Sequence, residues 1–261
     1  MIKISHESPI GLLQDSLHFN DYQYCLVHLL EEQPKYLEHF ERCRDEGIPV
    51  LLDNSIFELG TAFDSEEFAK WVDRLRPDEY IVPDVLEDSK GTIESLHNWV
   101  ENFGHVKGKR IGVVQGKNYD EIVECYKAVD EHCDKIAISF NYSYYLELFP
   151  HQNKYLSWSM GRVLLLEKLL EDGIINTEKD HHLLGCGLPI EFVHYYGDRY
   201  SWIDSLDTSN PVVHGLLGIR YNGWGLGSKK SIMLCDMIDH EIVNIEDIKY
   251  NLKKFREFVN R

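Results

Sequence analysis

The chain is poor in positive charge, in paired cysteines and in long apolar runs. Lys and Arg number 27 against 44 Asp and Glu, for a formal net charge of −17. Phosphate binding draws on Lys and Arg, so the overall balance argues at first sight against polyanionic partners. A solvated acidic surface that keeps the protein soluble is the plain reading. The deficit is uneven. Residues 1–100 hold 21 Asp and Glu against 8 Lys and Arg, whereas residues 201–261 hold 8 of each. A nucleic acid would meet the carboxy-terminal third, where Lys229, Lys230, Lys249, Lys253, Lys254 and Arg256 stand.

The six cysteines (25, 43, 125, 133, 186 and 235) form no CxxC pair, which sets aside zinc-ribbon and dithiol chemistry and predicts buried, reduced thiols. His181, His182, His194 and His214 with Cys186 show no ligand spacing, so no metal is expected, and His181 and His182 read as strand or loop residues. "GWGLGSKK" (223–230) is Gly-rich ahead of two lysines but lacks the spacing of a nucleotide-binding loop. The tyrosines of "NYSYYLELF" and "VHYYGDRY" read as core or rim packing rather than as base-stacking platforms. No membrane span, no signal-type apolar region in "MIKISHESPIG" and no Gly/Ser/Pro-rich linker are found. One cytoplasmic domain over residues 1–261, without membrane partners, is therefore expected.

What the chain does have is alternation. Short apolar runs, "YCLVHLL" (24–30), "IPVLLDNS" (48–55), "EYIVPDVL" (79–86), "KRIGVVQG" (109–116), "KIAISF" (135–140), "HHLLGCG" (181–187), "SWIDSLD" (201–207) and "GLLGIRY" (215–221), read as eight strands. Amphipathic stretches such as "PKYLEHFERCRDEG", "DSEEFAKWVDRLRP" and "NYDEIVECYKAVDEHC" lie between them, with Asp64 and Asn118 placed as helix starts. Strands apolar on both faces that alternate with helices imply a parallel sheet, and eight of them imply a single (β/α)8 TIM-type barrel, with a doubly wound open sheet as the rival.

Such a fold builds its site at the carboxy-terminal ends of the strands. Reading each run to its end gives Asp53, Asp84, Gln115, Ser139, the turn Gly185-Cys186-Gly187, and Asp204 with Asp207. A single aspartate there is as well explained by helix capping, and Asp207 in "DTSNP" by its own turn. Several carboxylates and an amide at equivalent strand ends point instead to a convergent polar cluster. Carboxylates in quantity, with few cations, suit a developing oxocarbenium ion at an anomeric carbon or a hydrogen-bonding heterocycle.

"LLDNSIFELG", "VPDVLEDS", "IGVVQG", "ISF", "LLGCGLP" and "SWIDSLDTSNP" resemble, in order and rough spacing, the tRNA-guanine transglycosylase superfamily, and most closely its compact phage and bacterial DpdA-type members, which put 7-deazaguanines into DNA. The resemblance runs from about residue 48 to 215. It implies a (β/α)8 barrel and a pentosyltransferase that exchanges guanine for a 7-deazaguanine at C1′. It implies that Asp204 is the nucleophile forming a covalent intermediate and that Asp53 handles protons. Phe57 would stack on the base, and Asp84 and Gln115 would bond its edge. Ile138, Ser139 and Phe140 stand where the family has a Gly-Gly-Leu segment that bears on selectivity for the incoming base, and Gly185 and Gly187 belong to the matching "LLGCGLP" turn. No cofactor is implied, and a homodimer is, because family members pair.

The chain also departs from that pattern. The family's "DSGG" is Asp53-Asn54-Ser55-Ile56 here, which removes the glycines that let a backbone approach the base. The zinc-binding CxCxxC is absent, since only Cys235 follows "DTSNP", and no tRNA-anchoring domain follows either. DNA is thus expected ahead of tRNA as the polymer. Two alternatives stay open: a nucleosidase that releases the base to water, and a catalytically idle acidic protein that binds nucleic-acid enzymes as a DNA mimic.

Overall fold

The computed structural model describes residues 1–222, 230 and 232–260. Its fold class is α/β. Eight strands form one sheet of the (β/α)8 TIM type: β1 (Lys3–Ser5), β2 (Gln23–Leu26), β3 (Val50–Asp53), β4 (Glu79–Ile81), β5 (Lys109–Val114), β6 (Lys135–Ser139), β7 (His181–Leu184) and β8 (Ile203–Asp207). Their order is β1-β8-β7-β6-β5-β4-β3-β2, and each pairing with a defined register is parallel. The chain divides into two compact units. The first comprises Met1–Asp21, Ser139–Glu178 and His182–Arg261, and the second comprises Tyr22–Ile138 and Lys179–His181.

The second unit follows the periodicity of its sequence closely. The helix Ser65–Leu75 starts where Asp64 accepts from the N–H groups of Glu66 and Glu67, and the helix Tyr119–His132 starts where Asn118 accepts from Glu121 N–H. Phe68, Tyr80 and Trp99 meet as a ring cluster, 5.6 Å between the Phe68 and Trp99 centroids and 5.7 Å between those of Tyr80 and Trp99. Such aromatic burial is the largest apolar contribution available to a core of this kind.

In the first unit the sequence reading needs two corrections. "GLLGIRY" is not a strand: Asn210–Leu216 is a helix with Pro211 in its first turn, and the chain leaves it through Gly218 at φ +69°. Val212, Val213 and Leu216 recur at helical spacing and pack with Ile248 and Leu252 of the carboxy-terminal helix Ile245–Val259. Gly215 is needed at that contact, because a Cβ would lie 2.5 Å from Ile248 Cγ1. The eighth strand is instead Lys3–Ser5, three residues long and too short to show an alternation, so that "SWIDSLD" supplies the last strand rather than the seventh. The pairing Lys3↔Ser205, Ile4↔Leu206 and Ser5↔Asp207 sets the levels along β8.

Candidate functional site

In the second unit, Asp53 is the last residue of β3, Gln115 follows β5 by one residue and Asp84 follows β4 by three, and all are buried. Asp53 ends β3. Its Oδ1 accepts from Ser55 N–H at 2.6 Å and its Oδ2 from the Tyr24 hydroxyl at 2.8 Å. The first bond is the local turn contact that any strand-end aspartate favours. The second ties the carboxylate to β2. Ser55 itself is left-handed, with φ 59°, a conformation in which a glycine costs less.

Asp84 is not a helix cap. Its Oδ1 accepts from Asn54 Nδ2 at 2.8 Å and its Oδ2 from Gln115 Nε2 at 2.7 Å. Backbone donors hold both amides: Ile56 N–H donates to Asn54 Oδ1 and Glu87 N–H to Gln115 Oε1, each at 2.9 Å. Neither amide can flip without losing a backbone bond, so their N–H groups must face Asp84. Burial still outweighs the two donors and pushes the Asp84 carboxyl up to about 6. An acid with this value carries or releases a proton near neutral pH.

Phe57 lies on the short helix Ile56–Leu59 and is 38% exposed. Leu59, Val85 and Leu86 of the same unit are similarly exposed. A cleft of about 290 Å³ opens beside Asp84, lined by Ile56, residues 60–65, Pro83, Val85, Leu86 and Ser95.

In the first unit the polar centre is Asp207, the last residue of β8. Its Oδ1 accepts from Gly185 N–H at 3.2 Å and lies 3.0 Å from His182 Nε2, while His182 Nδ1 lies 2.9 Å from Ser205 Oγ. Asp207 does not serve the turn that follows it. There Thr208 Oγ1 accepts from Asn210 N–H at 3.0 Å. Asp207 Oδ2 accepts no hydrogen bond among the described residues.

Asp204 requires a correction of place. It is the second residue of β8, below the level of Lys3, and alternation turns its side chain to the face opposite that of Ser205 and Asp207. Its Oδ1 is 3.0 Å from Nζ of Lys3, whose side chain is more than half exposed. The expectation that β8 delivers Asp204 to its carboxy-terminal end does not hold, because the strand runs three residues further.

The remaining expected residues gather around Gly185. This glycine has φ +64°, and a Cβ on it would lie 2.4 Å from Phe140 Cδ1. Phe140 is buried and meets Trp158 edge to face at 5.7 Å. Ser139 ends β6, its Oγ donating to Asn141 Oδ1 at 2.9 Å and its carbonyl accepting from Tyr145. Gly187 runs against the helix Lys154–Glu171, where a Cβ would be 3.2 Å from Ser159 Oγ. From that helix Arg162 donates to the carbonyls of Leu184 and Gly185 at 2.8 and 3.0 Å and to Glu191 Oε1 at 2.6 Å. Tyr195 completes the cluster by donating to Glu191 Oε1 at 2.7 Å. Arg162 and Glu191 are wholly buried, and the pairing holds the guanidinium charged.

Tyr24, Asn54, His182 and the Arg162–Glu191 pair were not anticipated as parts of the site. For Asn54 a signal existed, since it directly follows a strand-end aspartate. For His182 none did locally, as its carboxylate partner is 25 residues further on. His181 is engaged elsewhere, its Nε2 2.8 Å from the Tyr126 hydroxyl. Of the basic residues in the carboxy-terminal third, Lys249, Lys254 and Arg256 pair with Glu246, Glu257 and Asp21. Lys229 and the rest of 223–229 lie outside the described residues.

No family model and no curated protein matches the chain. Solved structures do. A protein from Aquifex aeolicus VF5 is similar at a TM-score of 0.51 and 14% identity, over 100% of this chain and 94% of that one. A mandelate racemase/muconate lactonizing enzyme-like protein from Rubrobacter xylanophilus is similar at a TM-score of 0.51 and 13% identity, over 88% of this chain and 59% of its own length. At these identities the likeness concerns the fold alone.

Proposed function

We propose that the protein is a base-exchange transglycosylase, a pentosyltransferase that replaces guanine in a nucleic acid, DNA in preference to tRNA, with a 7-deazaguanine. The observation that carries this reading is Asp207: one oxygen held by a backbone N–H and an imidazole, the other oxygen without a donor among the described residues. A carboxylate anchored through one oxygen, with the other not engaged by a hydrogen bond among the described residues, is arranged for attack at an electrophilic carbon. In the proposed reaction Asp207 Oδ2, in place of Asp204, forms a bond to C1′ as the C1′–N9 bond breaks. The electron pair leaves with guanine, which takes up a proton. The incoming base loses its N9 proton, attacks C1′ and releases the carboxylate, so atoms and charge balance without any oxidant.

The buried acid–amide cluster of Asp84, Asn54 and Gln115 supports the base-reading half of the proposal. Each Asp84 oxygen receives one amide N–H and keeps acceptor capacity for the N1–H and exocyclic amine of a guanine. Phe57, partly exposed, offers the stacking surface, and Asp53, backed by Tyr24, the proton carrier.

The test is to incubate the protein with duplex DNA, single-stranded DNA or tRNA and a labelled 7-deazaguanine, and to analyse the nucleosides by mass spectrometry. Label in DNA nucleosides, lost in Asp207→Asn, is the expected result. Free guanine with abasic sugar and no label would replace the reading with a nucleosidase. Full exchange by Asp207→Asn would overturn the assigned carboxylate.

A further inference from the structure

We propose that Ser205 is a positioning residue: through His182 it fixes which oxygen of Asp207 is held and which is left to react. The inference rests on the transglycosylase reading for its kinetic consequence but not for its geometry. Ser205 and Asp207 are two residues apart on β8, so they share a face at a spacing of about 6.6 Å. The imidazole of His182, on β7, bridges them, Nδ1 at 2.9 Å from Ser205 Oγ and Nε2 at 3.0 Å from Asp207 Oδ1. All three residues are buried.

The assignment of protons follows from what each group is able to do. An ionised carboxylate only accepts, so Nε2 must carry a hydrogen toward Asp207. A neutral imidazole then has a bare lone pair on Nδ1, and that lone pair needs a donor. Ser205 has one rotatable O–H at hydrogen-bond distance and supplies it. The reverse tautomer would set the Nε2 lone pair against the Asp207 oxygen. The serine thus selects the tautomer that donates to Oδ1, and together with Gly185 N–H this anchors Oδ1 and leaves Oδ2 as the nucleophilic atom. Removing the hydroxyl frees the ring to exchange tautomers and Asp207 to turn, an effect on the reacting geometry rather than on binding.

The experiment combines long-range proton–nitrogen NMR on protein with 15N-labelled histidine and steady-state kinetics, on the full chain and on Ser205→Ala, Ser205→Thr and His182→Gln, with thermal unfolding to confirm that each variant folds. His182→Gln assigns the His182 signals. The wild-type ring is expected as the neutral Nε2–H form, with Nδ1 shifted as a hydrogen-bond acceptor. Ser205→Ala is expected to move the Nδ1 signal toward the mixed-tautomer position and to lower kcat on the order of tenfold at constant KM. Ser205→Thr, which keeps the hydroxyl and suits a strand, restores both. A wild-type ring protonated at Nδ1, or an Nδ1 signal unchanged in Ser205→Ala, overturns the inference. Spectra that behave as expected while the wild type exchanges no base leave the relay standing and overturn the transglycosylase reading instead.

Discussion

Between the acidic range and neutral pH, the Asp84 cluster is expected to weaken the fold, and the size of the effect follows from the environment of one carboxyl. Burial pushes Asp84 from 3.8 up to about 6, against the two amide donors. Between those values the folded protein holds a proton that the unfolded chain has released, so stability falls as pH rises through this window. The contribution is fully present below the unfolded value and lost once the pH passes about 6. A shift of this size corresponds to about 3 kcal/mol. Asp84→Asn removes the titration. It also turns an amide N–H toward either Asn54 Nδ2 or Gln115 Nε2, which costs about 1–3 kcal/mol at every pH. Urea unfolding of both proteins, from about pH 4 to about pH 8, separates the two effects. The stability difference, wild type minus variant, is expected to fall by up to about 3 kcal/mol across the range, half of it lost by about pH 5, midway between the unfolded and folded values. Carbon-13 NMR of the Asp84 carboxyl gives the folded value directly. A difference that stays constant, or that grows with pH, would refute the description of Asp84 as a buried acid held near neutrality.

Two further substitutions test the anchoring of Asp207. Gly185→Ala places a Cβ on a residue at φ +64° and 2.4 Å from the Phe140 ring, so a loss of roughly 2–4 kcal/mol is expected in chemical unfolding, and a loss below about 1 would contradict the close packing. Glu191→Gln leaves the Arg162 guanidinium buried without a counter-charge, at an expected cost of about 3–5 kcal/mol by the same measurement, whereas near-neutrality would show that the clamp on Leu184 and Gly185 does not depend on the pair.

The alternation of apolar runs with amphipathic stretches was enough to predict a parallel α/β sheet of eight strands, because burial on both faces of a strand and on one face of a helix leaves different periodicities. It misled at the two ends of the chain. Lys3–Ser5 is too short to alternate, and the apolar residues of "GLLGIRY" belong to a helix whose partner, Ile248, lies more than thirty residues away. At the candidate site, reading each apolar run toward its end located Asp53 at the close of β3, Gln115 one residue past β5 and Asp84 three residues past β4, because a polar residue closes or soon follows each strand. β8 carries an aspartate at its second position and another at its last, and only the level set by pairing with β1 tells them apart. His182 and Arg162 were not legible as site residues because their roles come from partners distant in the chain, whereas Asn54 had only its place directly after a strand-end aspartate to mark it. Where the resemblance led one to expect two glycines, Ser55 adopts a left-handed backbone and Ile56 follows it, while Asn54, in the place of the family's serine, bonds Asp84.

The most direct test of the central assignment is to trap and map the covalent intermediate. The protein is incubated with guanine-containing DNA without an incoming base, quenched in acid, digested, and its peptides sequenced by mass spectrometry. A sugar–DNA adduct on Asp207 is predicted, retained in Asp204→Asn and absent in Asp207→Asn. An adduct on Asp204, or none on either aspartate while base exchange proceeds, would contradict the account.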